Sequence, residues 1–135
     1  MGRFQQVMYI TQILSFYSYV FGLCRNASNN QNDGLSIRVD GDGTNAEVNV
    51  KGIVTANSNG FAGMYTSQNP NANLEINVES GSTLNSCGNT LNDIVSDVDT
   101  SATVEFLGTG YACDQTKVVF TGAGTVDPPT CQACP

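Results

Sequence analysis

Residues 45–50 read Asn-Ala-Glu-Val-Asn-Val and residues 73–78 read Asn-Leu-Glu-Ile-Asn-Val. Polar and apolar residues alternate strictly in both, the signature of a half-buried β-strand. The two segments agree on their polar positions as well: Asn45 with Asn73, Glu47 with Glu75, Asn49 with Asn77. The shift that lays Asn45 on Asn73 also carries Ala46 onto Leu74, Val48 onto Ile76 and Val50 onto Val78. Applied a second time it reaches Ala102, Val104 and Phe106, with Ser101 beneath the two asparagines. It further aligns Gly52 with Ser80 and Gly108, Thr55 with Thr83, and Asn57 with Asn85. Only the stretch from Phe61 to Tyr65 finds no clear echo, at 89–93. One strand unit recurring at one period predicts stacked coils, each burying its inward residues against the next. Neighbouring strands would lie about 4.8 Å apart, so Asn stacks on Asn and Glu on Glu.

The rest of residues 34–126 has the same texture. Residues 35–39, 102–106 and 117–120 alternate, and no helical period appears. Between the runs lie turn clusters such as Gly41-Asp42-Gly43, Asn69-Pro70-Asn71 and Ser80-Gly81-Ser82. An all-β domain of about three coils is expected over 35–126. Residues 25–34 form a polar linker or cap, and the Cys-rich residues 127–135 form a tail that caps the other end. The tracts AEVNVKGIVTANSNGFAGMY (46–65) and NLEINVESGSTLNSCGN (73–89) resemble the coils of right-handed parallel β-helix proteins, the pectin-lyase-like superfamily and secreted surface adhesins. The resemblance implies a right-handed solenoid with a structural or adhesive role. A β-sandwich is the alternative, because its strands also recur roughly every 8–12 residues.

Residues 1–24 differ from all that follows. Arg3 is their single charge, and residues 7–24 run VMYITQILSFYSYVFGLC without another. A basic start, an apolar stretch and small residues at its end describe a secretory signal peptide, cut after Gly22 or Cys24. A membrane anchor and a hydrophobic helix packed on the domain are the competing readings. Membrane contact is expected only if residues 7–24 stay attached.

Composition narrows the function. Gly, Asn, Ser and Thr make up 53 of 135 residues, and the net charge is −7. An acidic surface argues against nucleic acid, whose phosphates need a basic partner. The absence of His removes imidazole bases, Ser-His-Asp triads and His-zinc sites. Five Cys stand at 24, 87, 113, 131 and 134. Cleavage of the leader would leave four, an even number fitted to an oxidising compartment. Cys87 and Cys113 are nearly one coil apart, which suggests a Cys87–Cys113 bond and a Cys131–Cys134 bond in the tail; swapped connectivities stay open. The C-x-x-C of the tail also admits redox or zinc readings, but it ends the chain rather than opening a helix.

Few residues stand out as chemical. Asp40 and Asp42 do not complete an EF-hand, since the frame then meets Asn45 where Gly belongs and Lys51 where Glu belongs. A looser surface calcium site at Asp40 and Asp42 remains a candidate, and no other cofactor is expected. Asp93, Asp97 and Asp99 form a second acidic cluster. Glu47 and Glu75 should stack as like charges unless water, Lys51 or a cation lies between them. They are also the carboxylate pair on which a hydrolase or lyase would depend. Asn26-Ala27-Ser28 is a glycosylation sequon, and Tyr65, Tyr111 and Phe61 are candidate binding anchors or packing residues. The expectation is a secreted, extracellular cell-surface protein without catalytic activity, self-associating through its solenoid ends or binding surface polymers. The alternative is a carbohydrate- or calcium-binding β-sandwich module.

Overall fold

A strand with one apolar face buries it readily by stacking on a strand of the same pattern, and this chain does so in parallel register throughout. The structure, a computed structural model, describes Phe16–Phe21, residues 26–41 and residues 43–135. Its strands fall in three parallel sheets that the coils visit in turn. The first sheet stacks β1 (Phe16–Phe21), β3 (Asn45–Val50), β6 (Asn73–Val78), β9 (Thr103–Leu107) and β12 (Thr125–Asp127). The second stacks β4 (Ile53–Thr55), β7 (Thr83–Asn85) and β10 (Tyr111–Ala112). The third stacks β2 (Leu35–Val39), β5 (Ala62–Gln68), β8 (Asn92–Val98) and β11 (Val118–Thr121). This is the all-β, parallel β-helix-like fold that the repeat predicts. The sandwich alternative falls, because every described strand pairing is parallel.

The ends of the stack differ from expectation. The second sheet holds the three rungs expected, but the first has five strands and so extends the stack on both sides. Phe16–Phe21 is not part of an N-terminal helix: it is strand β1, with Phe16 opposite Asn45 and Phe21 opposite Val50. Its aromatic and β-branched composition suits a pleated strand better than a helix. The rest of the leader reading, residues 1–15 and 22–25, lies outside the described residues. Residues 26–34 belong to the first coil rather than to a linker. Asn26 bridges Thr55, and the buried Ala27 donates its N–H to the Thr55 carbonyl at 2.7 Å.

Sharp corners separate the sheets, and they repeat with the coils. Asn29, Ser58 and Gly88 share one corner and all take left-handed φ angles, 62°, 58° and 64°. Each precedes a buried Asn. Asn30 donates from its backbone and side chain to Asn59 Oδ1 (3.0 and 3.1 Å), and Asn59 does the same to Asn89 Oδ1 (2.9 and 3.0 Å). Gly and Asn enter the left-handed region readily, which explains two of the three corner residues. Gly108 serves another corner at φ +93°. A Cβ there would stand 2.2 Å from the Val78 carbonyl oxygen, so only glycine lets the end of β9 approach the end of β6.

The period is not constant. Asn45 pairs with Asn73, but Ile53 pairs with Thr83 and Met64 with Ile94, each a longer step by two positions. The longer turn after β6, residues 79–82, supplies the two extra positions. The first sheet's next step is therefore Asn73 to Thr103, not to Ser101, and Phe61 finds its echo at Leu91.

Inward residues form ladders of Val48–Ile76–Phe106, Ala46–Leu74–Val104 and Leu35–Met64–Ile94, all buried. Gln68 breaks this pattern. It is 1% exposed between Val39 and Val98 in register, and neither of its amide atoms has a hydrogen-bond partner among the described residues. An unpaired buried amide destabilises by about 1–3 kcal/mol. Gln68→Leu should therefore raise the midpoint of urea unfolding by a comparable free energy; a lower midpoint would show that the amide is satisfied.

Candidate functional site

Outward positions of the first sheet carry the most regular surface. Glu47 pairs with Glu75 and Glu75 with Glu105, so three carboxylates stand on adjacent rungs. The expected stacking of Glu47 on Glu75 is present, and Glu105 extends it. Beside this row runs Asn45–Asn73–Thr103, in which Asn73 Nδ2 donates to Asn45 Oδ1 (2.8 Å) and Thr103 Oγ1 donates to Asn73 Oδ1 (2.6 Å). On the other side Asn77 donates to Asn49 (3.3 Å), and Asn49 donates to Glu47 Oε1 (2.8 Å). A shallow groove of about 460 Å³ runs along the glutamates. Ser18 of β1 occupies the register position next to Glu47.

The middle glutamate feels the crowding. Partial burial first, then the charges of Glu47 and Glu105, push the Glu75 carboxyl above its ordinary value. Lys51, a candidate to relieve Glu47 and Glu75, pairs instead with Glu79 at 3.6 Å.

A second exposed feature is apolar. Phe61 (51% exposed) and Leu91 (54% exposed) sit on neighbouring coils, and the half-buried Tyr65 pairs in register with Val95. They line a cleft of about 240 Å³ with Asp33 and Asn92. Burial raises the Asp33 carboxyl, although the Ala62 N–H donates to it at 3.1 Å and opposes the shift. Tyr111 does not join this surface. It is fully buried, its ring edge-on to Phe106, and its hydroxyl donates to the Leu107 carbonyl at 2.7 Å. Burial pushes that hydroxyl's pKa well above the usual phenol range.

The acidic candidates separate. Asp40 is engaged on both oxygens, by Arg38 at 3.0 Å and by the Asn69 side-chain amide. Asp42 lies outside the described residues. Asp93 points inward and accepts from Asn89 Nδ2 (2.9 Å) and from the Asp114 N–H (2.8 Å), while Asp97 faces outward and accepts from Thr121. Asp99 accepts the Thr100 N–H at its own turn. Among the described residues no group of three or more His, Cys, Asp or Glu is placed to share a metal ion. Asn26 of the sequon is exposed.

All four cysteines expected in disulfides are in them, but the pairing differs: Cys87 bonds Cys134 and Cys113 bonds Cys131. Near one-coil spacing points to Cys87–Cys113 and proximity in the chain to Cys131–Cys134. The tail instead lies along the last coil as an extra rung, bridging Gln132 to Ala112, and takes both coil cysteines. No protein-family model, curated protein or solved structure matches the chain.

Stacked glutamates destabilise a sheet by about 0.2–1 kcal/mol per like-charged pair. Glu75 has its pKa raised on folding, so its protonated form stabilises the native state below the ordinary value of 4.5, and that contribution is lost as pH rises through the raised pKa. Glu75→Gln removes the repulsion. The variant should melt at a higher temperature than the parent at pH 7, with the gap closing by pH 3.5. An equal gap at both pH values would place the effect in packing rather than charge.

Proposed function

We propose that this chain is a secreted structural or adhesive cell-surface solenoid without catalytic activity, a right-handed β-helix of the kind found in pectin-lyase-like proteins and surface adhesins. The observation that carries the reading is that the stack keeps open strand edges at both ends. At the C-terminal end the tail is laid on β10 and bonded twice, but the outer edges of β11 and β12 have no strand partner among the described residues. At the other end the outer edge of β2 has no strand partner among the described residues, and the first sheet presents the edge of β1, or that of β3 where the leader is cut. An unpaired strand edge is a template for another strand. Two disulfides fit an oxidising compartment, which supports the extracellular setting. The outward ladders of Asn, Thr and Glu offer a flat polar face to a surface polymer.

The carbohydrate- or calcium-binding reading draws on the glutamate groove and its repelling carboxylates, although these do not form a cluster of three metal ligands. Hydrolysis is supported less well. The three glutamates differ only by their place in one row, Glu75 being flanked on both sides, whereas general acid–base work needs two carboxylates held in environments of different kind.

Sedimentation velocity over a hundredfold concentration range, joined to thermal melts with and without calcium, tests both binding readings. Association that rises with concentration in the absence of calcium supports the end-to-end reading. A monomer whose melting temperature rises only with calcium supports the second, since ligand binding stabilises the native state. A monomer indifferent to calcium would sink both.

A further inference from the structure

The tail is held to the solenoid by two bonds, and both of its cysteines lie within one C-x-x-C. Cys134 is exposed and Cys131 half-buried, while their partners Cys87 and Cys113 are 9% and 4% exposed. The noncovalent ties are a handful of hydrogen bonds, among them Gln115 Nε2 to the Pro129 carbonyl (3.4 Å), and the packing of Cys131 against the core. Gln132 N donates to the Tyr111 carbonyl (2.7 Å), Cys113 N donates to the Gln132 carbonyl (3.2 Å), and Gln132 Nε2 donates to the Thr109 carbonyl (2.8 Å). Gln115 accepts the Cys131 N–H at 2.9 Å. A cavity of about 490 Å³ opens beside the two bonds, lined in part by Lys117, Gln115 and Ala133.

We propose that the tail is a redox latch that a single two-electron reduction releases. A dithiol reductant enters at the exposed side and its thiolate attacks Cys134 Sγ. The Cys87–Cys134 bond breaks and Cys87 leaves as a thiolate, taking a proton. The reductant's second thiol then displaces Cys134 and departs as a cyclic disulfide, so two electrons have passed to the protein. Cys134 is now a thiolate in the cavity that the cation of Lys117 also lines, three residues from Cys131. It attacks Cys131 Sγ, forms Cys131–Cys134 and expels Cys113, which takes a proton; this exchange moves no net electrons. The tail then has no covalent tie left. Its departure frees the Cys113 N–H and the Tyr111 carbonyl, and so opens the outer edge of β10. Short-range closure within the C-x-x-C and the regained freedom of the tail drive the second step.

The positions of Lys51 and Lys117 make the outcome readable. Trypsin places Cys87 and Cys113 together in residues 52–117, and Cys131 and Cys134 together in residues 118–135. The oxidised protein is treated with one molar equivalent of dithiothreitol, quenched, alkylated with N-ethylmaleimide and digested. In the species carrying two alkyl groups, the two peptides should separate, with both groups on 52–117 and a closed disulfide in 118–135. Two peptides still joined, with alkyl groups on Cys87 and Cys134, would overturn the exchange. Amide hydrogen exchange on the same reduced species gives the second readout: the Cys113 N–H should exchange at least tenfold faster than in the oxidised protein. Unchanged exchange would mean that the tail stays docked, and would overturn the release.

Discussion

At each rung of the buried asparagine ladder one side-chain oxygen receives two N–H groups from the coil before it, a backbone amide and a side-chain amide. The coil geometry depends on this pair of bonds. A buried amide left without these partners would destabilise the corner by about 1–3 kcal/mol, the usual scale for unsatisfied polar groups. The ladder therefore holds the coil spacing and the corner together, and the left-handed residues 29, 58 and 88 bring the chain to it. Its lower end is closed by Asp93, whose carboxylate accepts the pair of N–H groups from Asn89 and a further one from Asp114. A carboxylate only accepts, so it ends a chain of donors without leaving one of its own unpaired. At the upper end, Asn30 Oδ1 is a buried acceptor with no partner among the described residues.

The same stacking that satisfies amides compels charges to meet. Strand register leaves Glu75 between Glu47 and Glu105. Lys51, the cation that follows the first strand of this row, is engaged elsewhere, with Glu79. Repetition thus explains both the strength and the strain of the first sheet. Asparagine gains from meeting its own kind because it is donor and acceptor at once; glutamate does not.

Strand type and stacking were legible because one segment, residues 45–50, repeats both its apolar and its polar positions in residues 73–78. The third copy was less legible. The two added residues in the turn at 79–82 move its register, so Asn73 meets Thr103 and the third glutamate stays hidden from a constant shift. The same displacement hides the pairing of Tyr65 with Val95, although a shift longer by two positions would reveal it. Phe16–Phe21 was hidden for another reason: an apolar, uncharged strand next to a basic start reads as a leader. The disulfide pairing could not be read at all. Spacing along the chain places Cys87 above Cys113, but it is the path of the tail across β10 that decides which sulfurs touch.

The taper of the last coil explains why the tail is bonded. The step from Ile94 to Val118 is shorter than the step from Met64 to Ile94, and Thr103 to Thr125 is shorter than Asn73 to Thr103. Less chain therefore goes into the final turn than into those before it. Val118, Phe120 and Val126, on the outermost strands of their sheets, are only partly buried against the core, where Ile94, Ser96 and Val104 one coil earlier are sealed. Pro128 and Pro129 follow β12 and cannot donate to a further strand, so the first sheet stops there. A thin final coil has little burial to hold it closed. Bonds with sequence separations of 47 and 18 supply what packing lacks, about 3–4 kcal/mol each on the chain-entropy account. Stability at this end therefore draws on covalent chemistry as well as on packing, which makes it sensitive to the redox state of the surroundings.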